Sequence, residues 1–201
     1  MSDSALLRSP ELLDRRRSRL LVVDVQEKLV PAIHGGDDIV RRIRFLLSVA
    51  EHLEIPVVVT EQYPQGLGHT VSGLTGHPAI GATIDKVRFS AADCFCEHIG
   101  ISAVLSPDAH DGRNQVVLAG LESHVCMLQT GLDLLARGFR VYVAEDAAGS
   151  GTQHDHEIGI HRLRDAGAVI CTAESVAFEW CETSEADEFK PISRLVRDLR
   201  A

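Results

Sequence analysis

The sequence predicts an α/β protein, a three-layer α/β/α sandwich around a six-stranded parallel sheet with the Rossmann-like order 3-2-1-4-5-6. The first observation is a set of short apolar runs, such as LLVVDV at residues 20–25, that lack the polar alternation of half-exposed strands. The second is their regular alternation with helical segments, which is typical of a parallel sheet covered on both faces. The third is the lack of any linker, so we expect one domain at 18–201 after a flexible N-terminal arm at 1–17.

Capping and breaking residues divide the first half of the chain into elements. Asp37 and Asp38 are placed to cap a helix whose apolar residues fall on one face. Pro56 fits only at the start of the strand that follows. A Gly-rich stretch after that strand predicts a long surface loop, and such loops are usually functional. The predicted elements are strands at 20–25, 55–60 and 82–87, helices at 39–53 and 91–99, and the loop at 62–81.

The second half repeats this rhythm. Gly138 and Gly167 each follow an apolar periodic segment, as expected where a helix ends. Strands are predicted at 115–119, 139–144 and 168–172, with helices at 123–137 and 154–166 and a mostly helical tail.

Composition narrows the functional classes. The chain has 201 residues and a formal net charge of -9, which disfavours nucleic acid or an anionic membrane as a partner. No apolar run approaches the length of a membrane span, and the N-terminus lacks the apolar core of a secretory signal. Five cysteines do not resemble a secreted disulfide framework. We therefore expect a cytoplasmic protein with a small-molecule substrate.

Two residues far apart in sequence are predicted to meet at the reversal of the sheet. In the order 3-2-1-4-5-6, strands 1 and 4 are neighbours, and a crevice forms outside their carboxyl ends. Asp24 ends the first strand, and Cys126 follows the fourth. If Ser123 caps the next helix, Cys126 lies in its first turn, where the helix N-terminus favours a thiolate. Cys126 is therefore a candidate nucleophile.

A nearby acid and cation would complete such a site. Asp24 is the candidate acid that accepts the thiol proton, although a structural cap or ion pair also explains an Asp at a buried strand end. Lys86, at the end of the third strand, is the candidate cation. Arg88 lies two residues further on and competes with Lys86 for that role.

Three motifs carry a resemblance to a known family. VVDVQEKL, DKVRFSA and AGLESHVCMLQTGLDLLARGFRVYVAEDAAGS, in that order, resemble the isochorismatase-like cysteine hydrolase superfamily over residues 20–176. The stretches EQYPQGLGHTV and LESHVCMLQTGLDLL look most like the isochorismatase domain-containing subgroup. The resemblance implies an Asp-Lys-Cys triad of Asp24, Lys86 and Cys126. It also implies a homo-oligomer, either a dimer or a tetramer.

The resemblance further implies an oxyanion hole. The bond between Leu121 and Glu122 matches a family position where the peptide is cis without proline. The backbone N–H groups of Glu122 and Cys126 then bind the oxyanion during acyl transfer from an amide, ureido or related C–N substrate, through a thioester. Gln26, Tyr63 and Phe89 are the candidate substrate-binding residues, and His124 is a weaker one. Core or loop packing also explains Tyr63 and Phe89.

The sequence leaves several functions open. Nicotinamidases, which the chain resembles, carry an Asp-x-His metal pair after the second strand, and this sequence has only His69 and His77 there. We therefore expect no metal and no cofactor. Isochorismatases cleave a vinyl ether, and the best known have glycine at the position of Cys126. A non-catalytic binding protein of the same fold and redox chemistry at Cys126 are also compatible with the sequence.

Overall fold

The computed structural model describes residues 8–101 and 111–201, in which the strands form one six-stranded sheet in the order 3-2-1-4-5-6. All neighbouring strands are parallel. The predicted fold class and strand order are confirmed. The strands are β1 (Ser18–Val23), β2 (Val57–Gln62), β3 (Ile80–Lys86), β4 (Gln115–Leu121), β5 (Arg140–Gly149) and β6 (Val169–Cys171).

Helices cover both faces of the sheet. On one face α1 packs against α6 and α7, and on the other α4 packs against α3 and α5. None of the helices in the described residues has the length and apolar character that crossing a bilayer requires. The helices are α1 (Gly36–His52), α2 (Pro64–Leu67), α3 (Ala92–His98), α4 (Cys126–Ala136), α5 (Gln153–Asp165), α6 (Ala173–Cys181) and α7 (Phe189–Arg200), with a 3-10 helix at Val30–Ala32.

The central strand β1 explains why its sequence lacks polar alternation. Leu20 and Val22 belong to the core on the α1 side of the sheet. Leu21 and Val23 belong to the core on the α4 side. Both faces of the strand are therefore buried, and each position needs an apolar side chain.

Two helices begin three residues away from their predicted starts. Gly35, in a left-handed conformation, precedes α1, and the predicted caps Asp37 and Asp38 lie within its first turn. The Asp38 carboxylate instead pairs with Arg41 and Arg42, three and four residues along the helix.

The helix after β4 begins at Cys126 rather than at 123, and Val125 is its N-cap residue. The Ser123 hydroxyl does not cap the helix, because it forms a 2.9 Å hydrogen bond with Nδ1 of the buried His156. Residues 122–125 instead form a tight turn in which the N–H groups of Val125 and Met127 both donate to the Glu122 carbonyl at 3.1 Å.

The N-terminal segment also differs from its prediction as a flexible arm. From Arg8 onward it lies against the domain, and Leu13 is fully buried in the core on the α1 side. Gln115 of β4 accepts from the Asp14 N–H at 2.8 Å and donates to the Leu12 carbonyl at 3.1 Å. A buried apolar anchor and these hydrogen bonds hold residues 8–17 in place, while residues 1–7 lie outside the described part of the chain.

Candidate active site

Asp24 directly follows β1 and lies in the interior of the protein. Its backbone has a left-handed φ of 53°, which is uncommon for a residue with a side chain and recurs at functional sites. The Asp24 N–H donates to the Thr60 carbonyl at 3.1 Å. The Thr60 hydroxyl donates to Asp24 Oδ1 at 2.7 Å. Two contacts with β2 thus fix the direction of the carboxylate.

Lys86, the last residue of β3, forms an ion pair with Asp24. Its Nζ lies 2.7 Å from Asp24 Oδ2, and the two side chains are only 3% and 0% exposed. The ammonium also donates to Gln62 Oε1 at 2.7 Å and to the carbonyls of Phe89 at 2.9 Å and Arg88 at 3.2 Å. Because desolvation of a buried ion pair is costly, these neutral acceptors help to retain the charge inside the protein.

Arg88 has a different environment. Its side chain is exposed, and its guanidinium pairs with Asp93 at 2.5 Å. Asp93 also binds Arg137, and the two arginines lower the pKa of this carboxyl, Arg137 more strongly. The cation that contacts Asp24 is therefore Lys86 and not Arg88.

Cys126 is the first residue of α4 and is 7% exposed. Burial, followed by the negative charge of Asp24, raises the pKa of its thiol to about 12, although Lys86 and the Glu122 N–H act in the opposite direction. The charge of Asp24 and its hydrogen-bonding interaction with the thiol both act to raise this pKa. The expectation that the helix N-terminus favours a thiolate is therefore wrong for the free protein, because desolvation outweighs the helix dipole.

The turn between β4 and α4 presents backbone N–H groups to the sulfur. The Leu121–Glu122 peptide bond is cis, and the interaction of the Glu122 N–H with the Cys126 sulfur lowers the pKa of the thiol. Within the described residues, the Cys126 N–H has no backbone acceptor. The turn therefore places one N–H group at the sulfur and leaves a second one available at the start of the helix.

Gly120 brings the turn close to Asp24. It has a φ of 127° and pairs with Val23, the residue before Asp24. A Cβ at this position would lie 2.1 Å from the Val23 carbonyl oxygen. The approach of β4 to the end of β1 therefore requires glycine, and this approach joins the acid to the turn that carries Cys126.

The predicted substrate-binding residues are in different situations. The structure differs from the prediction for Gln26, which is fully buried with its amide engaged. Its Oε1 accepts from the Gln62 N–H at 2.8 Å, and its Nε2 donates to the carbonyls of Gln62 at 3.0 Å and Gly68 at 2.6 Å. Gln26 therefore extends the pairing of β1 and β2 and is not free to contact a substrate.

Tyr63 and Phe89 are 54% and 53% exposed. Tyr63 lines a cavity of about 360 Å³ together with Lys86 and Val87, a size that suits a small molecule. The Phe89 ring does not line this cavity, although its carbonyl binds the Lys86 ammonium. Tyr63 is therefore better placed than Phe89 to contact a ligand.

Sequence reasoning missed two residues that contact the candidate triad, Thr60 and Gln62. They are alternate residues of β2, so both side chains point to the same face of the sheet. The available signal was the change from the apolar run Val57–Val59 to polar side chains at the carboxyl end of a central strand.

His124, the weaker candidate for ligand binding, and the two histidines that follow β2, His69 and His77, all have protein partners. His124 forms a 2.9 Å hydrogen bond with the buried Ser150 hydroxyl. His69 pairs with Glu61 at 2.9 Å, and His77 lies 3.3 Å from the Ser48 hydroxyl. In residues 8–101 and 111–201, no three of the His, Cys, Asp and Glu side chains are grouped so that they could hold a metal ion.

Comparison with known proteins places the chain in a family. Residues 18–175 match the sequence model of the Isochorismatase domain family. The chain belongs to the isochorismatase family. Mouse isochorismatase domain-containing protein 2A is 36% identical over 184 residues, which are 90% of this chain and 83% of that protein. Membership of this family supports a hydrolase function.

Solved structures agree with the fold. A structure described as MAR1 ribonuclease from Caenorhabditis elegans is 34% identical with a TM-score of 0.83, and the match covers 92% of each chain. The YcaC protein of Escherichia coli, described as an octameric hydrolase of unknown specificity, is 22% identical with a TM-score of 0.81, covering 96% of this chain and 95% of that one. At this low identity, the likeness to YcaC is evidence for the fold only.

Proposed function

We propose that this protein is a cysteine hydrolase that cleaves a small amide, ureido or related C–N substrate with Asp24, Lys86 and Cys126. The observation that carries the proposal is the shared environment of the Asp24 carboxylate, which binds the Lys86 ammonium at 2.7 Å and raises the pKa of the Cys126 thiol. A nucleophile beside a base that a third group orients is the arrangement that activates a thiol.

The first half of the reaction forms a thioester. Because the pKa of the resting thiol is about 12, the proton moves from Cys126 to Asp24 as the sulfur attacks the carbonyl carbon. The N–H groups of Glu122 and Cys126 stabilise the oxyanion, and the Lys86 ammonium offsets the negative charge. Asp24 then returns the proton to the leaving nitrogen, and the C–N bond breaks to give an amine and an acyl–Cys126 thioester.

Water completes the cycle. Asp24 accepts a proton from a water molecule that attacks the thioester carbon, and the oxyanion again lies at the two N–H groups. The C–S bond breaks, the sulfur regains the proton from Asp24, and the acid product leaves. Each step conserves atoms and charge without a metal or an external cofactor.

The decisive experiment screens amides, ureides and isochorismate against the wild type and Cys126→Ala in parallel. We expect hydrolysis of at least one C–N substrate by the wild type, a trapped acyl adduct on Cys126 by mass spectrometry, and no turnover by the variant. Full turnover of a confirmed substrate by Cys126→Ala would exclude the thioester route. Cleavage of isochorismate alone, independent of the thiol, would favour vinyl ether hydrolysis.

The same panel, with RNA added, separates the hydrolase from two further functions. The name of the Caenorhabditis elegans relative makes RNA a reasonable additional substrate. The carboxylates of Asp85 and Asp93 line the cavity, and the net charge is -9, so we expect no RNA cleavage. Binding of a panel compound without turnover would instead favour a non-catalytic binding protein.

We also propose a homo-oligomer, either a dimer or a tetramer, and a cytoplasmic location. Tyr63 and Val87, which line the cavity, and Phe89, two residues after Val87, all have exposed apolar side chains, which supports an interface there. All five cysteines are free, as in proteins of reducing compartments. Light scattering of the purified protein tests the assembly, and a monomer would contradict it. Cell fractionation tests the location.

A further inference from the structure

Two glutamines connect the candidate triad to the loop that carries Tyr63. Gln26 follows Asp24 by two residues, and Gln62 ends β2. The Gln26 amide binds both backbone groups of Gln62 and the Gly68 carbonyl. The main chain of Gln62 is therefore held in place by Gln26, independently of the contacts that the Gln62 side chain makes.

The Gln62 side chain is also fixed at both ends. Its Oε1 accepts from the Lys86 ammonium at 2.7 Å, and its Nε2 donates to the Val87 carbonyl at 2.8 Å. Gln62 pairs with Lys86 across β2 and β3, so the two side chains share a face of the sheet. Because the Val87 carbonyl requires a donor, the amide keeps its oxygen directed at the ammonium.

The Gln62 side chain and the other neutral acceptors of the Lys86 ammonium lie on different elements. The carbonyls of Arg88 and Phe89 lie on the turn after β3, whereas Gln62 lies on the strand adjacent to β1. Without the Gln62 amide, the ammonium keeps its neutral acceptors only on the turn. A glutamate at this position would accept equally well but would add a second negative charge beside Asp24.

We propose that Gln62 is a positioning residue that holds the Lys86 ammonium beside Asp24 and Cys126, with Gln26 fixing the backbone of Gln62. The inference deepens the proposed function, on which it rests for its catalytic meaning. The effect of the Gln62 side chain on the position of the Lys86 ammonium does not depend on any substrate.

The test measures alkylation of Cys126 by iodoacetamide at alkaline pH, followed on the Cys126 peptide by mass spectrometry. Lys86→Met should slow this reaction about tenfold, because the thiolate loses its nearby cation. Gln62→Met should slow it similarly, and Lys86→Met should then have no further effect in the Gln62→Met background. In the Gln62→Glu background, which retains an acceptor for the ammonium, Lys86→Met should again slow the reaction.

Gln129→Met, on the exposed face of α4, is the matched control and should alkylate at the wild-type rate. Equal slowing by Lys86→Met in every background would overturn the proposal. Thermal unfolding checks that each variant folds, and Gln62→Asn, whose side chain is too short to reach the ammonium, replaces Gln62→Met if the latter does not fold.

Turnover separates this inference from the proposed function. On any substrate from the panel, Gln62→Met should lower kcat and leave KM unchanged, since Gln62 contacts Lys86 and does not line the cavity. If no substrate is found, the proposed function fails while the alkylation result still decides whether Gln62 positions Lys86.

Discussion

At the residue scale, the site is defined by three side chains around one buried carboxylate. Thr60 and Lys86 contact Asp24, which gives the acid a fixed direction and a compensating charge, and Asp24 in turn raises the pKa of the Cys126 thiol. The thiol is protonated at rest, because burial and the adjacent negative charge together outweigh the helix N-terminus and the ammonium. The proposed reaction therefore relies on proton transfer to Asp24 and not on a pre-formed thiolate.

Asp24→Asn should affect reactivity and turnover in opposite directions. Since Asp24 is one cause of the raised pKa of Cys126, the variant should alkylate faster than the wild type at a given alkaline pH. Turnover should fall by about 10²–10⁴-fold, because the base is lost. Iodoacetamide labelling across pH and steady-state kinetics on a panel substrate measure the two effects. Slower alkylation than the wild type would contradict the electrostatic explanation.

Thr60→Val should destabilise the protein by about 1–3 kcal/mol, because the nearly isosteric change leaves Asp24 Oδ1 without its side-chain donor. Thr83→Val is the matched control, as Thr83 lies on the exposed face of the edge strand β3. Urea unfolding of both variants gives the difference. Equal effects of the two substitutions would mean that the hydrogen bond to Asp24 contributes little to stability.

At the scale of elements, the parallel strands β1, β3 and β4 each deliver one part of the site at their carboxyl ends. Asp24 follows β1, Lys86 ends β3, and the turn after β4 leads to Cys126. Strand β2 lies between β1 and β3 and supplies Thr60 and Gln62, which link the acid and the cation. The strand order therefore determines which side chains meet.

Gly120→Ala should disrupt the contact of β4 with β1, because the new Cβ would lie 2.1 Å from the Val23 carbonyl oxygen. We expect a loss of about 3 kcal/mol or more in the free energy of unfolding, the size typical of steric strain in a packed core. Gly76→Ala is the control: it also has a positive φ but no neighbour within 4 Å, and it should cost about 1 kcal/mol. Denaturant unfolding compares the two, and similar losses would argue against the close approach.

At the scale of the whole molecule, one sheet with two helical layers also holds the N-terminal segment. Leu13 reaches the core on the α1 side of the sheet, although it precedes the first strand. Arg8 donates to the carbonyls of Leu13 at 2.7 Å and of Glu179, in α6, at 2.6 Å. Arg8 thus links the N-terminal segment to α6, 171 residues later in the sequence.

Leu13→Ala should lower the free energy of unfolding by about 2–5 kcal/mol, because it leaves a cavity in the core. Leu12→Ala, at the adjacent residue with 39% exposure, should cost less than about 1 kcal/mol. Thermal or urea unfolding of the pair measures this. If the two variants are equally stable, residues 8–17 do not contribute a packed anchor in solution.

The sequence by itself determined the fold class, the strand order and the positions of Asp24, Lys86 and Cys126 at strand or helix ends. Apolar runs and helical periodicity are local signals, and the order of a parallel sheet then limits which ends are neighbours. The tertiary structure alone decided the state of the thiol, the choice of Lys86 over Arg88, the internal role of Gln26 and the packing of Leu13. Each of these depends on burial and on partners distant in sequence, and no local pattern carries that information.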